Sequence, residues 1–111
     1  MRDAHVGDVL VMRHEAICGI VTDRDIVVRC VADGADPHLT PIGEICSTDL
    51  TDVRPEDRLD DAIELMRYRA IRRLPVVEGD QPVGILSLGD LATVRNPSSA
   101  LADISEAPPN T

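Results

Sequence analysis

An internal repeat constrains the fold of this chain more than any other feature of its sequence. Residues 1–27 align with residues 66–92 without a gap, at a constant offset of 65 positions. Gly19 matches Gly84, Asp25 matches Asp90, and most aliphatic positions stay aliphatic. A duplication of this kind predicts two structural units with the same local architecture, and a chain of 111 residues can hold both only as small units around modest cores.

The second unit predicts a complete α+β pattern in the order strand, helix, strand, strand, helix. The predicted elements are a short strand at Asp49–Val53, a helix capped by Asp57, strands at Arg73–Glu78 and Pro82–Ser87, and a final helix from Ser87 to about Val94. Gly79 and Asp80 form the predicted turn between the two later strands.

The first unit predicts only the later part of this order. Strands are expected near Val9–Met12 and Ile17–Val21, followed by a helix from about Asp23 to Ala32, and a counterpart of residues 45–65 is missing. We therefore expect a truncated first repeat at residues 1–40, a complete second repeat at 41–95, and a partly ordered tail at 96–111. Either the natural start lies upstream of Met1 or a second copy of the chain covers the gap, because an uncovered sheet edge is a liability.

The amino-acid composition limits the classes of partner that the chain is expected to bind. The formal net charge is -9, every basic residue is arginine, and the only aromatic residue is one tyrosine. An acidic chain without stacking surfaces disfavours nucleic acid and anionic membranes, so a small-molecule partner is expected. The three cysteines are widely spaced, which is typical of reduced thiols in a cytoplasmic protein rather than a disulfide framework or a zinc site. Residues 1–10 have no signal-peptide h-region and no apolar run approaches the length of a membrane span, so we expect a soluble, unexported protein.

Each repeat carries a hydroxyl and an aspartate where a strand meets a helix, Thr22 with Asp25 and Ser87 with Asp90. Such a pair is a capping box, and helix capping alone can explain it. A ligand site is the alternative, because free N–H groups at a helix start favour anions and a nearby carboxylate can accept from a ribose diol. A glycine in the preceding strand, Gly84 in the second repeat, also permits close approach of another group.

The stretches VGDVLVM, GIVTDRDI and IRRLPVVEGDQPVGILSLGDL together resemble tandem CBS domains, named for cystathionine beta-synthase, which pair into a Bateman module. The resemblance covers roughly residues 1 to 95 and implies a regulatory module that senses adenosyl ligands in the cleft between repeats. AMP, ADP, ATP and S-adenosylmethionine are the implied ligands, and no cofactor is required. The resemblance also implies which residues bind. Asp90 and Asp25 would contact ribose, Ser87 and Thr22 phosphate or ribose oxygens, and Thr51, Val53, Leu74 and Pro75 the adenine, while Arg72 and Arg73 are candidates for phosphate contacts.

Two further functions stay open. The chain could be a ligand-free dimerisation or protein-interaction module whose capping boxes are only caps. An enzyme is the third alternative, but the sequence offers no nucleophile and base pair, and its three histidines are scattered. We therefore expect a non-enzymatic, homodimeric regulatory protein, whose regulated protein partner the sequence does not identify.

Overall fold

The computed structural model describes residues 1–108 and divides into two compact units. The first unit is Met1–Leu50, and the second begins at Thr51. Each unit contains helices and one antiparallel strand pair, so the predicted α+β fold class is confirmed.

The first unit is built on an antiparallel hairpin. Strand β1 (Asp8–Arg13) pairs with β2 (Ala16–Thr22), and helix α1 (Asp23–Ile26) follows directly. The predicted helix then continues as a π-helical stretch, Val27–Val31, in which the Ala32 N–H reaches the Val27 carbonyl five residues back. A short 3-10 helix, Ile42–Glu44, completes the unit.

After that 3-10 helix the chain returns to the sheet. Ser47 forms an antiparallel bridge with Ile20 of β2, with the Ile20 N–H donating to the Ser47 carbonyl at 3.0 Å and the reverse bond at 2.9 Å. The adjoining Ile45 and Cys46 are buried in the same core as Val11 and Val21. Residues 45–47 therefore cover the outer edge of β2, and we call them the cover segment.

Among the described residues, the second unit has a helix before its strand pair, whereas the first unit has none there. Its elements in order are α2 (Leu59–Arg69), β3 (Arg73–Glu78), β4 (Gln81–Ser87), α3 (Leu88–Arg95) and α4 (Ala100–Glu106). The core joins α2, the strands and α3, and its buried members are Val53, Ala62, Met66, Leu74 and Leu91.

The duplication is reproduced in the backbone. Both hairpins have the same register and a β-bulge at the same place, and the first turn of the following helix bonds to the residue before the first strand in both units. The equivalent pairs are Val11 with Gly19 and Val76 with Gly84 for the register, and Asp23 with Gly7 and Leu88 with Arg72 for the helix turn. The alignment at an offset of 65 is therefore a structural repeat.

Two local predictions for the second unit were wrong. The Asp49–Val53 strand is reduced to one parallel bridge between Val53 and Val76, because only Val53 exchanges backbone hydrogen bonds with β3. Asp57 does not cap the helix. Its carboxylate accepts from the Arg54 N–H at 2.9 Å, which stabilises the preceding turn, and α2 starts only at Leu59.

The predicted repeat boundaries stay a prediction. Within the expected tail the structure contains α4, whose cap is Ser99 and whose Ala102 is fully buried. Residues 109–111 of that expected tail lie outside the described residues.

Candidate ligand site at the strand-to-helix turn of the second unit

The turn from β4 into α3 carries the candidate site of the second unit. Ser87 is the N-cap of α3, and its Oγ accepts from the Asp90 N–H at 3.1 Å. The Asp90 Oδ2 in turn accepts from the Ser87 N–H at 2.8 Å, so the capping box is complete. The Leu88 N–H donates to the Arg72 carbonyl at 2.9 Å, which ties the turn to the start of β3.

These bonds bring several of the predicted site residues to one end of the hairpin. Arg73 is the register partner of Ser87, and Arg72 is exposed immediately before β3. An arginine and a carboxylate beside a helix start offer donors for a phosphate and an acceptor for a hydroxyl. The local chemistry therefore suits a ligand that carries both groups.

The second-unit turn is exposed at Gly84 and Asp90, whereas Gly89 lies against the Ser105 side chain of α4. Asp90 is exposed, and only its Oδ2 is engaged by the capping bond to Ser87. A Cβ built on Gly84 would meet nothing within 4 Å. Space beside β4 and a carboxylate oxygen at the helix start are thus both accessible in this unit.

The equivalent turn in the first unit has the same capping box but a different surrounding. The Thr22 Oγ1 accepts from the Asp25 N–H at 3.4 Å, and the Asp25 Oδ2 accepts from the Thr22 N–H at 2.9 Å. Asp25 is buried, with 7% of its surface exposed, and its Oδ1 lies 4.0 Å from Nη1 of Arg29. Its carboxylate is engaged on both oxygens.

The space beside Gly19 is also filled in the first unit. A Cβ built there would lie 2.5 Å from Sγ of Cys46 and 2.8 Å from the carbonyl oxygen of Ser47. The glycine therefore admits the chain's own cover segment, whereas its counterpart Gly84 faces open space.

The residues predicted to contact adenine belong to the core or border it. Leu74 is fully buried, Pro75 is buried, and Thr51 is half-buried. Val53 donates its N–H to the Pro75 carbonyl at 3.0 Å and accepts from the Val77 N–H at 2.8 Å. Leu74 has no exposed surface, and the assignment of these four residues to adenine stays a prediction.

Sequence reasoning missed Arg29. Its Nη1 donates to the carbonyl oxygens of Ile45 at 3.0 Å and Cys46 at 3.2 Å, besides approaching Asp25. Its position four residues after Asp25 was the available signal, because residues at that spacing are neighbours on a helix. The second unit has Val94 at the equivalent position.

Comparison with known proteins places the chain in a family. A CBS domain model matches residues 42–96. The CBS domain-containing protein YhcV of Bacillus subtilis (strain 168) is 43% identical over 109 residues, covering 95% of this chain and 77% of that protein. The chain belongs to the CBS-domain family, whose members are generally regulatory modules.

Solved structures support the same assignment. A protein with CBS domains from Burkholderia ambifaria MC40-6 superposes with a TM-score of 0.77 at 30% identity, covering 89% of this chain and 73% of that one. A hexameric CBS-CP12 protein from bloom-forming cyanobacteria gives a TM-score of 0.72 at 31% identity, with coverage of 94% and 64%. The repeat of two CBS units is therefore the architecture that the duplication encodes.

Two other features are absent from residues 1–108. No helix in this range is both long and apolar enough to cross a membrane, and no group of three or more potential metal ligands lies together. Cys18, Cys30 and Cys46 are free thiols.

Proposed function

We propose that this chain is a regulatory module that binds an adenosyl ligand, such as AMP, ADP, ATP or S-adenosylmethionine, at the Ser87–Asp90 turn of the second unit. The proposal rests chiefly on the exposed Asp90 carboxylate in the first turn of α3, together with the space at Gly84 in the preceding strand. Asp90 binds the ribose hydroxyls, while Ser87, Arg72 and Arg73 face the phosphate. The protein acts in the cytoplasm as a homodimer, requires no cofactor and carries out no catalysis.

Ligand sensing requires that the ligand favour one arrangement of the module over another. A nucleotide can shift such an equilibrium only by its difference in affinity for the two arrangements. Binding at the Ser87–Asp90 turn would therefore regulate a protein partner through that difference.

A thermal-shift panel of AMP, ADP, ATP and S-adenosylmethionine tests the proposal. A ligand at 100 times its dissociation constant adds about 2.7 kcal/mol to the free energy of unfolding. For a domain of about 100 residues this raises the melting temperature by roughly 10 °C. If none of the four compounds shifts the melting temperature, the proposal is wrong.

Asp90→Asn separates ligand binding from helix capping. Asparagine keeps an oxygen that accepts from the Ser87 N–H, so the cap survives, but it loses the charged acceptor for the ribose hydroxyls. Hydrogen bonds to a charged group contribute about 1.5–3 kcal/mol, so affinity should fall roughly tenfold or more. Asp57→Asn is the matched control, because Asp57 is also exposed and also accepts from a backbone N–H.

A ligand-free interaction module is the second candidate. Both capping boxes are complete without a ligand, and three valines on the π-helical stretch are largely exposed, at 56% for Val27, 45% for Val28 and 55% for Val31. Under this hypothesis Asp90→Asn does not change self-association. It also does not change the effect of any adenosyl compound on the melting temperature. Sedimentation of the wild type and of the Val28→Ser variant would then report the interaction surface.

A further inference from the structure

The two copies of the capping turn are not equivalent, and they differ in the residue four positions after the aspartate. In the first unit Arg29 lies four positions after Asp25, whereas Val94 lies four positions after Asp90. Arg29 is half-exposed, but its Nη1 is shared among three oxygens, which belong to Asp25, Ile45 and Cys46. Val94 can form neither the ion pair with the aspartate nor the two hydrogen bonds to carbonyls.

Those three contacts join the turn to the cover segment. The Asp25 carboxylate accepts from the Thr22 N–H on one oxygen and lies near Arg29 on the other. Arg29 in turn donates to the carbonyls of Ile45 and Cys46. These two residues come immediately before Ser47, which bridges to Ile20 of β2. Asp25 and Arg29 thus act together on the cover segment, which is distant from them in sequence.

Gly19 completes the same arrangement from the sheet side. It leaves room for the Cys46 side chain and the Ser47 carbonyl, and the space is fully used. Every element of the first-unit motif, the glycine, the hydroxyl and the aspartate, therefore has a partner within its own unit.

We propose that Arg29 is a positioning residue that uses Asp25 to hold the cover segment against β2, so that the first-unit turn binds this segment in place of a nucleotide. The inference rests on the proposed function only for its second consequence, which is one nucleotide per chain, bound at the Ser87–Asp90 turn. A ribose that reached Asp25 would have to displace Arg29, and with it the hold on the cover segment.

Amide hydrogen exchange tests the role of Arg29 directly. The Ile20 and Ser47 amides protect each other, so their exchange reports release of the cover segment. Arg29→Leu should speed the exchange of both amides by about tenfold, because it removes charged donors to two carbonyls. Arg29→Lys should restore part of the protection, since one ammonium can still donate to one carbonyl.

Arg24→Leu is the matched control. Arg24 is exposed on the same helix, and its replacement makes the same change in net charge. Equal exchange at Ile20 and Ser47 in the Arg29→Leu and Arg24→Leu variants would overturn the proposal. If Arg29→Leu does not fold, the comparison of Arg29→Lys with the wild type decides the question, because a positioning role requires a partial loss of protection.

Calorimetric titration with AMP tests the second consequence. We expect one bound AMP per chain, a loss of affinity of about tenfold or more in Asp90→Asn, and less than a twofold change in Asp25→Asn, which keeps the capping oxygen. An equal loss in both variants, or two AMP molecules per chain, would overturn the assignment. If the wild type binds neither AMP nor any of the other three adenosyl compounds, the proposed function fails, yet the exchange measurement still decides the role of Arg29.

Discussion

Substitution of the two equivalent glycines is the sharpest test of how differently the repeats are built. In Gly19→Ala the new methyl would lie 2.5 Å from Sγ of Cys46 and 2.8 Å from the carbonyl of Ser47. Cys46 is buried, and the Ser47 carbonyl is fixed by its bond to the Ile20 N–H. Neither group can yield without moving the cover segment, so the strain reaches the backbone.

The expected cost follows from these contacts. Overpacking of a buried site costs about 1–3 kcal/mol. Displacement of the cover segment adds the loss of the two backbone bonds between Ile20 and Ser47, at about 1 kcal/mol each. Gly19→Ala should therefore lower the free energy of unfolding by about 3–5 kcal/mol. In Gly84→Ala the methyl meets nothing within 4 Å, so the change should lie between zero and a gain of about 1 kcal/mol.

Urea unfolding followed by far-ultraviolet circular dichroism measures both variants on the same scale, and the chain has no tryptophan to follow instead. Each variant is the control for the other, since the same methyl is added at equivalent positions of two hairpins with one register. A difference below about 1 kcal/mol, or a larger loss in Gly84→Ala, would refute the argument that the cover segment occupies only the first unit.

Two further substitutions probe the second unit. Leu74→Ala removes a fully buried side chain at the centre of the core and should cost about 2–5 kcal/mol in the same urea experiment, and a cost below 1 kcal/mol would contradict the proposed core. Val94→Arg places a guanidinium one helical turn from Asp90 and should lower the affinity for AMP severalfold by occupying that carboxylate, whereas Val94→Leu should not. Calorimetric titration compares the two, and equal affinities would contradict the role assigned to the Asp90 carboxylate.

The parts of the fold that depend on neighbouring residues could be predicted from the sequence. The hairpin around Gly79, the hydroxyl caps at Thr22 and Ser87, and the helix after Ser87 all follow from short patterns. The repeat strengthened each prediction, because the same pattern had to produce the same turn twice. The residues that make up the candidate site could be predicted for the same reason.

The parts that depend on distant residues could not be predicted. Residues 49–53 have strand-like composition, but only Val53 finds a ladder partner, and a strand exists only where a partner lies beside it. The role of Arg29 could not be predicted for the same reason, since its carbonyl partners are separated from it by 16 and 17 residues in sequence. No local pattern links a helix arginine to a segment that returns to the sheet.

The asymmetry between the repeats explains how one motif can have two roles in one chain. A glycine in a strand, a hydroxyl at a helix start and an aspartate three residues later create a place where another group can approach closely. In the first unit that group is the chain's own cover segment, fixed through Arg29, while the same features stay open at Gly84 and Asp90. Because the approach of a backbone and the approach of a ligand require the same local geometry, the presence of the motif alone cannot predict binding. Under the proposed function, the residue four positions after the aspartate, arginine or valine, is the better predictor of which copy binds a ligand.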